Sequence, residues 1–179
     1  MKKIIAITIA AVLAACVRTP DSGKPIAVAN AGFEQPASES EIPGWTTVQH
    51  AGPPAYEMVV DTREAYEGHA SFRMTRKLDQ LYGSIKQTVS VAAVAGESVE
   101  LSAMMKTKDV GPQGWKLMIL DIGVNGREFS PAITGTSDWQ RVSVRAHLPK
   151  GISTIVIGAT LLDGGSGWID DVKLSVVAP

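Results

Sequence analysis

The sequence predicts an all-β domain, an antiparallel β-sandwich. From about residue 56 to the C-terminus, short β-rich runs alternate with Gly, Pro, Asn and Asp clusters, and no stretch holds a helical period. Several of those runs alternate apolar and polar residues with the two-residue period of a half-buried strand. Eight or so such strands in one domain favour a sandwich, with an up-and-down barrel as the alternative.

Residues 1–15 come first and read as an export signal. Lys2 and Lys3 give a positive start, and Ile4 to Leu13 form an apolar run too short to span a bilayer. Leu13-Ala14-Ala15-Cys16 then closes the run with small residues before the chain's only cysteine. This layout resembles bacterial lipoprotein signals, in which the cysteine thiol is acylated and becomes the new N-terminus. An ordinary cleaved signal or an uncleaved anchor is the alternative. Stable anchoring takes more than one acyl chain, and lipoprotein maturation supplies them. Val17, rather than Asp, follows Cys16 and points to the outer rather than the inner membrane.

Residues 16–29, with Pro20, Gly23 and Pro25, lack periodicity and read as the lipidated cysteine and a flexible tether. Residues 30–177 form the sandwich domain. Loss of residues 1–15 leaves 164 residues, enough for one core, and a net charge near −3. No basic field exists to hold nucleic acid. A lone cysteine leaves no disulfide, so stability must come from packing, helped by a metal if one binds.

The strands follow in order. Runs near 56–60, 71–76 and 85–92 are β-rich. Val99, Leu101, Ala103 and Met105 share one parity, against Glu100, Ser102 and Lys106. Residues 115–122 are apolar on both parities after Leu117, which predicts a strand covered on both faces. Asn125-Gly126 behind it signals a two-residue type I′ hairpin. Val142 and Val144, then Ile155, Ile157, Ala159 and Leu161, then Val172, Leu174 and Val176, complete the alternating set.

Specific residues add a resemblance. Asn30-Ala31-Gly32-Phe33-Glu34, Pro43-Gly44-Trp45, Gly68-His69-Ala70-Ser71-Phe72, Gln87-Thr88-Val89, Ala95-Gly96, Asp138-Trp139-Gln140 and Trp168-Ile169-Asp170-Asp171-Val172 occur in that order. The set resembles the galactose-binding-like jelly rolls, in particular the carbohydrate-binding modules found beside cellulases and xylanases, over residues 30–176. The stretch from Met105-Lys106-Thr107 to Asp170-Asp171-Val172 is similar to uncharacterised jelly rolls that bacteria attach to exported or regulatory proteins. The resemblance implies a structural calcium held by Glu34, by backbone from Gly68 to Ser71, and by Asp170 or Asp171. Strand parity puts Asp170 on the side of Val172 and Leu174, where a carboxylate needs a cation or several N–H donors. The alternative is two strand-end aspartates, one capping a turn and one solvated.

Sugar recognition needs aromatic faces together with fork-like donors and carboxylates or amides. Tyr82 before Gly83, Trp115 after Gly114, Trp139 on the parity of Arg141, and Arg73 are the candidate ligand residues, with core burial as the alternative for each aromatic. Tyr56 and Arg141 are further pieces, and Trp45 and Trp168 are expected to pack. Catalysis is not expected. His50, His69 and His147 lack metal-ligand spacing, no nucleophile elbow, zinc-protease helix or phosphate loop occurs, and adjacent Asp170 and Asp171 point to opposite faces. The sequence therefore predicts a non-catalytic envelope lipoprotein whose jelly roll binds a glycan or other extended ligand, or else serves as a protein-interaction scaffold.

Overall fold

A computed structural model describes residues 23–38 and 41–178. The expected signal and Cys16 lie outside these residues. Ten strands are present: β1 (Pro25–Ile26), β2 (Thr46–Gln49), β3 (Tyr56–Asp61), β4 (Ser71–Arg76), β5 (Gly83–Ser90), β6 (Ser98–Leu120), β7 (Arg127–Phe129), β8 (Ile133–His147), β9 (Thr154–Leu161) and β10 (Ser166–Val177). All strand pairs are antiparallel.

Two sheets share the long strand β6. Its first half, Ser98 to Lys108, pairs with β10 and carries on through β4 to β3, forming the first sheet, with β8 on its other edge. Its second half, Trp115 to Leu120, pairs with β9 and carries on through β5 to β2, with β7 outside, forming the second sheet. The two predicted runs at 99–106 and 115–122 are therefore one strand. Gly111-Pro112-Gln113-Gly114 reads as a loop, but the chain stays extended and turns the sandwich corner through register shifts against β8. Asp109 (φ 55°) and Gly114 (φ 80°) supply the bend. A side chain at Gly114 would meet the Ala132 Cβ at 2.6 Å.

The core lies between the sheets. Ile85, Trp115, Leu117, Ile119, Ile155, Ile157, Ala159 and Leu161 of the second sheet face Phe72, Met74, Val99, Leu101, Met105 and Ile169 of the first, all fully buried. Phe33 plugs one end, its ring centroid 5.2 Å from Trp45 and 5.8 Å from Phe72. Burial of this kind stabilises each large aliphatic side chain by about 1.5–3 kcal/mol.

Two local expectations fail for backbone reasons. Asn125 has φ 59° but Gly126 is not in the positive region, and residues 121–126 form a longer loop closed by the Ile122 N–H on the Gly126 carbonyl. That loop is not a type I′ hairpin. In β10, Asp171 takes φ 48° and the register slips between Asp170 and Lys173. Ile169 and Val172 are thus both buried, while Asp170 pairs with Met104 on the outward parity, opposite to the side predicted. The domain also starts earlier than expected. Ile26 pairs with Leu174, and the Ala29 N–H donates to the Gln87 side chain at 2.8 Å, so residues 25–29 pack rather than tether.

Candidate functional site

The first place where polar groups converge is a hollow of about 270 Å3 between the N-terminal segment, the 64–70 loop and β10, lined by Ala31, Gly32, Glu34, Glu67, Gly68, Asp170 and Asp171. Asp170 is 1% exposed. Its Oδ2 accepts the N–H groups of Tyr66 (2.9 Å) and Glu67 (3.1 Å), and its Oδ1 accepts that of Asp171 (2.7 Å). Burial nevertheless pushes its pKa up, with Asp171 adding to the rise, although these N–H bonds oppose it. Glu34 Oε1 accepts the N–H groups of His69 (2.9 Å) and Ala70 (3.1 Å). Gly68, at φ 70°, leaves the space the Glu34 carboxylate fills.

Of the five expected calcium residues, Glu34, Gly68, Asp170 and Asp171 line this hollow and Ser71 does not. The Ser71 hydroxyl is spent on the Glu64 carbonyl at 2.7 Å, and the Asp171 carboxylate turns away to Arg141 and Lys173, both at 3.0 Å. Among the described residues no group of three or more His, Cys, Asp or Glu side chains is placed to hold a metal ion by itself. The two carboxylates, Glu34 and Asp170, are hard oxygen donors that suit calcium rather than zinc. Burial is the main cause of the raised Asp170 pKa, and a cation beside the carboxylate would oppose that rise.

A second place, a groove of about 710 Å3 on the outer face of the first sheet, holds Arg73, Lys106, Trp168, Glu64 and Asp138. Its charges are already paired. Arg73 donates to Glu57 at 2.9 Å and Thr75 at 3.1 Å, and its Nε lies 3.0 Å from Asp61 Oδ2 without hydrogen-bond alignment. Asp61 also receives the Trp168 indole N–H at 3.3 Å. Lys106 sits 3.0 Å from Glu64 and 3.8 Å from Asp138. Trp139 is half-buried beside Tyr66, with ring centroids 6.2 Å apart. Arg73 thus sits among paired charges with its Nε alone lacking a hydrogen bond, and Trp139 packs beside Tyr66. Trp115 is fully buried, its indole N–H donating to the Trp168 carbonyl at 3.1 Å, so it packs the corner and cannot touch a ligand. Gly114 suggested an exposed turn there, and the bulged strand instead drives the ring inward.

The third place is the outer face of the second sheet, and here groups remain free. Cross-strand pairing sets three rows: Val48, Ser84, Thr160 and Lys116; Thr46, Lys86, Gly158, Met118 and Phe129; Thr88, Val156, Leu120 and Arg127. Their neighbours Ile85, Ile119, Ile157 and Ala159 are fully buried on the core side, which fixes these rows as outward. Phe129 is 43% exposed. Tyr82 continues the outward parity of β5, is 36% exposed, and meets the His50 ring edge-on at 5.7 Å. The strand spacings put Tyr82 and Phe129 about 20 Å apart along the diagonal. None of Lys86, Lys116 and Arg127 forms an ion pair among the described residues.

Sequence reasoning found Tyr82 but missed Lys86, Lys116, Met118, Arg127 and Phe129. A signal existed in the alternation of Lys116, Met118 and Leu120 against Leu117 and Ile119. Met118 is 3% exposed although its parity is outward, so the expectation of two covered faces holds for that residue. The Phe129 side of the strand stays open.

No family model matches the sequence. The chain is similar to "Uncharacterized HTH-type transcriptional regulator YbfP" of Bacillus subtilis (strain 168), 24% identical over 152 residues, 80% of this chain and 51% of the relative. It spans about half of that relative's length. Among solved structures it is similar to the xylan-binding domain CBM22-1 of Paenibacillus barcinonensis Xyn10C (TM-score 0.55, 18% identity, 83% of this chain and 93% of that one). The fold shared with it is an antiparallel β-sandwich of the jelly-roll type. TmCBM61, solved with β-1,4-galactotriose, is similar over 85% of this chain and 99% of its own (TM-score 0.57, 19% identity). A cyclase from Fischerella sp. TAU, in complex with 4-(1H-indol-3-yl)butan-2-one, shares the same fold (TM-score 0.63, 14% identity, 86% and 98% covered).

Proposed function

We propose that this protein is a non-catalytic envelope lipoprotein, tethered through Cys16 to the outer membrane, that binds a glycan across the open face of its second sheet. The observation that carries the reading is the exposed Phe129 ring on a face with the exposed Thr46 and Thr88 and three cations that form no ion pair among the described residues, with Tyr82 at the far corner. An aromatic ring covers the apolar side of a pyranose, and the surrounding donors meet its hydroxyls. The likeness to a xylan-binding domain and to TmCBM61 in complex with β-1,4-galactotriose supports the choice of ligand class. The other face offers charges already committed to one another, which gain less from a new partner.

Electrophoresis of the full chain through gels cast with single polysaccharides tests the reading. Retention by at least one polymer is expected, with Phe129→Ala weakening it about tenfold, the scale of a lost aromatic contact, and leaving the melting temperature within a few degrees. Free migration through every polymer by a folded chain would instead favour a protein-interaction scaffold.

Calcium fits the same account as a structural clamp held by Glu34 and Asp170. It would supply positive charge between the N-terminal segment and β10. Added calcium should raise the melting temperature and chelator lower it, and Gly68→Ala should abolish the difference by crowding the Glu34 carboxylate. An unchanged melting temperature in chelator rules the clamp out.

A further inference from the structure

Charge is distributed unevenly over this molecule. On and around the first sheet Arg73, Lys77, Lys106, Arg141, Arg145 and Lys173 each pair with a carboxylate. On the outward rows of the second sheet there are three cations and no carboxylate at all. Overall charge does not explain this, because acids outnumber bases in the chain as a whole, 18 to 17. A face that merely needed solubility would carry both signs, as the other face does.

We infer that the ligand of this face is an anionic polysaccharide, one bearing a carboxylate on many of its sugar units, read by Lys86, Lys116 and Arg127. The inference rests on the glycan reading above and names its substrate class. Strand spacings place the three cations roughly 12 to 16 Å apart. No single small anion bridges that distance, whereas a polymer with repeating acid groups meets each cation in turn. Arg127 is exposed and presents a planar fork that matches a carboxylate, while Lys86 and Lys116 are half-buried on outward positions, where a long stem can cover apolar surface and leave the charged head in water. Between them the floor is low. Gly158 has no side chain, and Ser84 and Thr160 are buried and hydrogen-bonded to each other at 3.0 Å. A chain of sugars can lie in that trough with its acids reaching outward.

An anionic bilayer is the competing partner for a cationic face. The face offers it one exposed apolar ring, Phe129, to insert: Met118 is 3% exposed, Val48, Leu120 and Val156 are half-buried, and the other positions between the cations are Thr, Ser and Gly. Hydroxyl-rich surface beside cations favours a hydroxylated polymer over acyl chains.

The test compares retention of the full chain by polygalacturonate, by the same polymer methyl-esterified, and by neutral galactan. Polygalacturonate should retain it most strongly, esterification should weaken retention roughly tenfold, and retention should fall as salt rises through the range where the Debye length shrinks below about 10 Å. The triple variant K86Q/K116Q/R127Q should remove the preference for the acid form. Equal retention by the acid and neutral polymers, lost on Phe129→Ala, overturns the inference and leaves the glycan reading standing. Retention by none of the polymers fells both. Binding to vesicles of phosphatidylglycerol without retention by polygalacturonate also overturns it. The comparison of acid and ester needs no variant, so it decides the matter even if the triple substitution disturbs folding.

Discussion

Replacing Trp115 with alanine is expected to destabilise the domain by about 3–5 kcal/mol, the range for emptying a large buried aromatic site. In a chain of this size that lowers the melting temperature by roughly 10 °C or more. The ring sits fully buried where β6 turns from one sheet to the other. Gly167 packs its backbone on the indole face so closely that a Cβ there would lie 2.7 Å from the ring, so on that side there is no side chain to fill the gap. The Trp168 carbonyl also loses its donor. Trp115→Phe should cost less, chiefly that hydrogen bond and part of the packing. Thermal unfolding of both variants checks the order. A Trp115→Ala protein that melts like the wild type but loses ligand would place the ring in a binding cleft and contradict the packing described above.

Asp170→Asn is expected to cost about 2–3 kcal/mol. Three N–H groups converge on the carboxylate, and an amide nitrogen at either oxygen position would face a donor. The pH dependence should separate this residue from its neighbours. Because burial raises the folded-state pKa of Asp170 above its unfolded value, the folded chain holds more protons in the window between the two. The Asp170 penalty therefore grows as pH rises through that window, and acidification relieves it. Asp61 behaves in the opposite sense. Burial pushes its pKa up, but the Arg63 N–H, the Trp168 indole and the Arg63 guanidinium outweigh that and hold it low. Its contribution is present above the ordinary carboxylate range and is lost as pH falls through its depressed folded value. Unfolding of the wild type and of Asp170→Asn across pH 3 to 7 (about the range in which carboxylates titrate) reads the difference. The wild-type advantage should grow toward acid without calcium. With calcium bound, the charged form is favoured, and the advantage should instead shrink. A difference independent of pH would mean that Asp170 is not strained by its burial.

Much of the sandwich was legible because its strands obey a two-residue period. Val99 to Met105 and Ile155 to Leu161 alternate cleanly, and both lie in the core as their parity requires. What the pattern could not show is where the period breaks. Asp171 adopts a positive φ without being glycine, and that one residue moves Asp170 from the inner to the outer side. The Gly-Pro-Gln-Gly stretch at 111–114 carries turn residues, yet it is the bulged corner of a continuous strand, which is why Trp115 was misplaced. The hollow formed by Glu34, Gly68 and Asp170 was reached through the resemblance rather than through spacing, since its three parts lie more than thirty residues apart in sequence. The cation-bearing face was not legible. Lys86, Lys116 and Arg127 come together only through the register of β5, β9, β6 and β7, and that register has no local signature.

The claim that ligand lies on the outer face of the second sheet is tested most directly by following backbone amide NMR signals of the full chain as an acidic oligogalacturonide is added. Saturating shifts at Lys86, Gly158, Met118 and Phe129, with Arg73 and Trp168 unmoved, are the expected result. Shifts confined to Arg73, Lys106 and Trp168 would put the ligand on the opposite face and contradict the account.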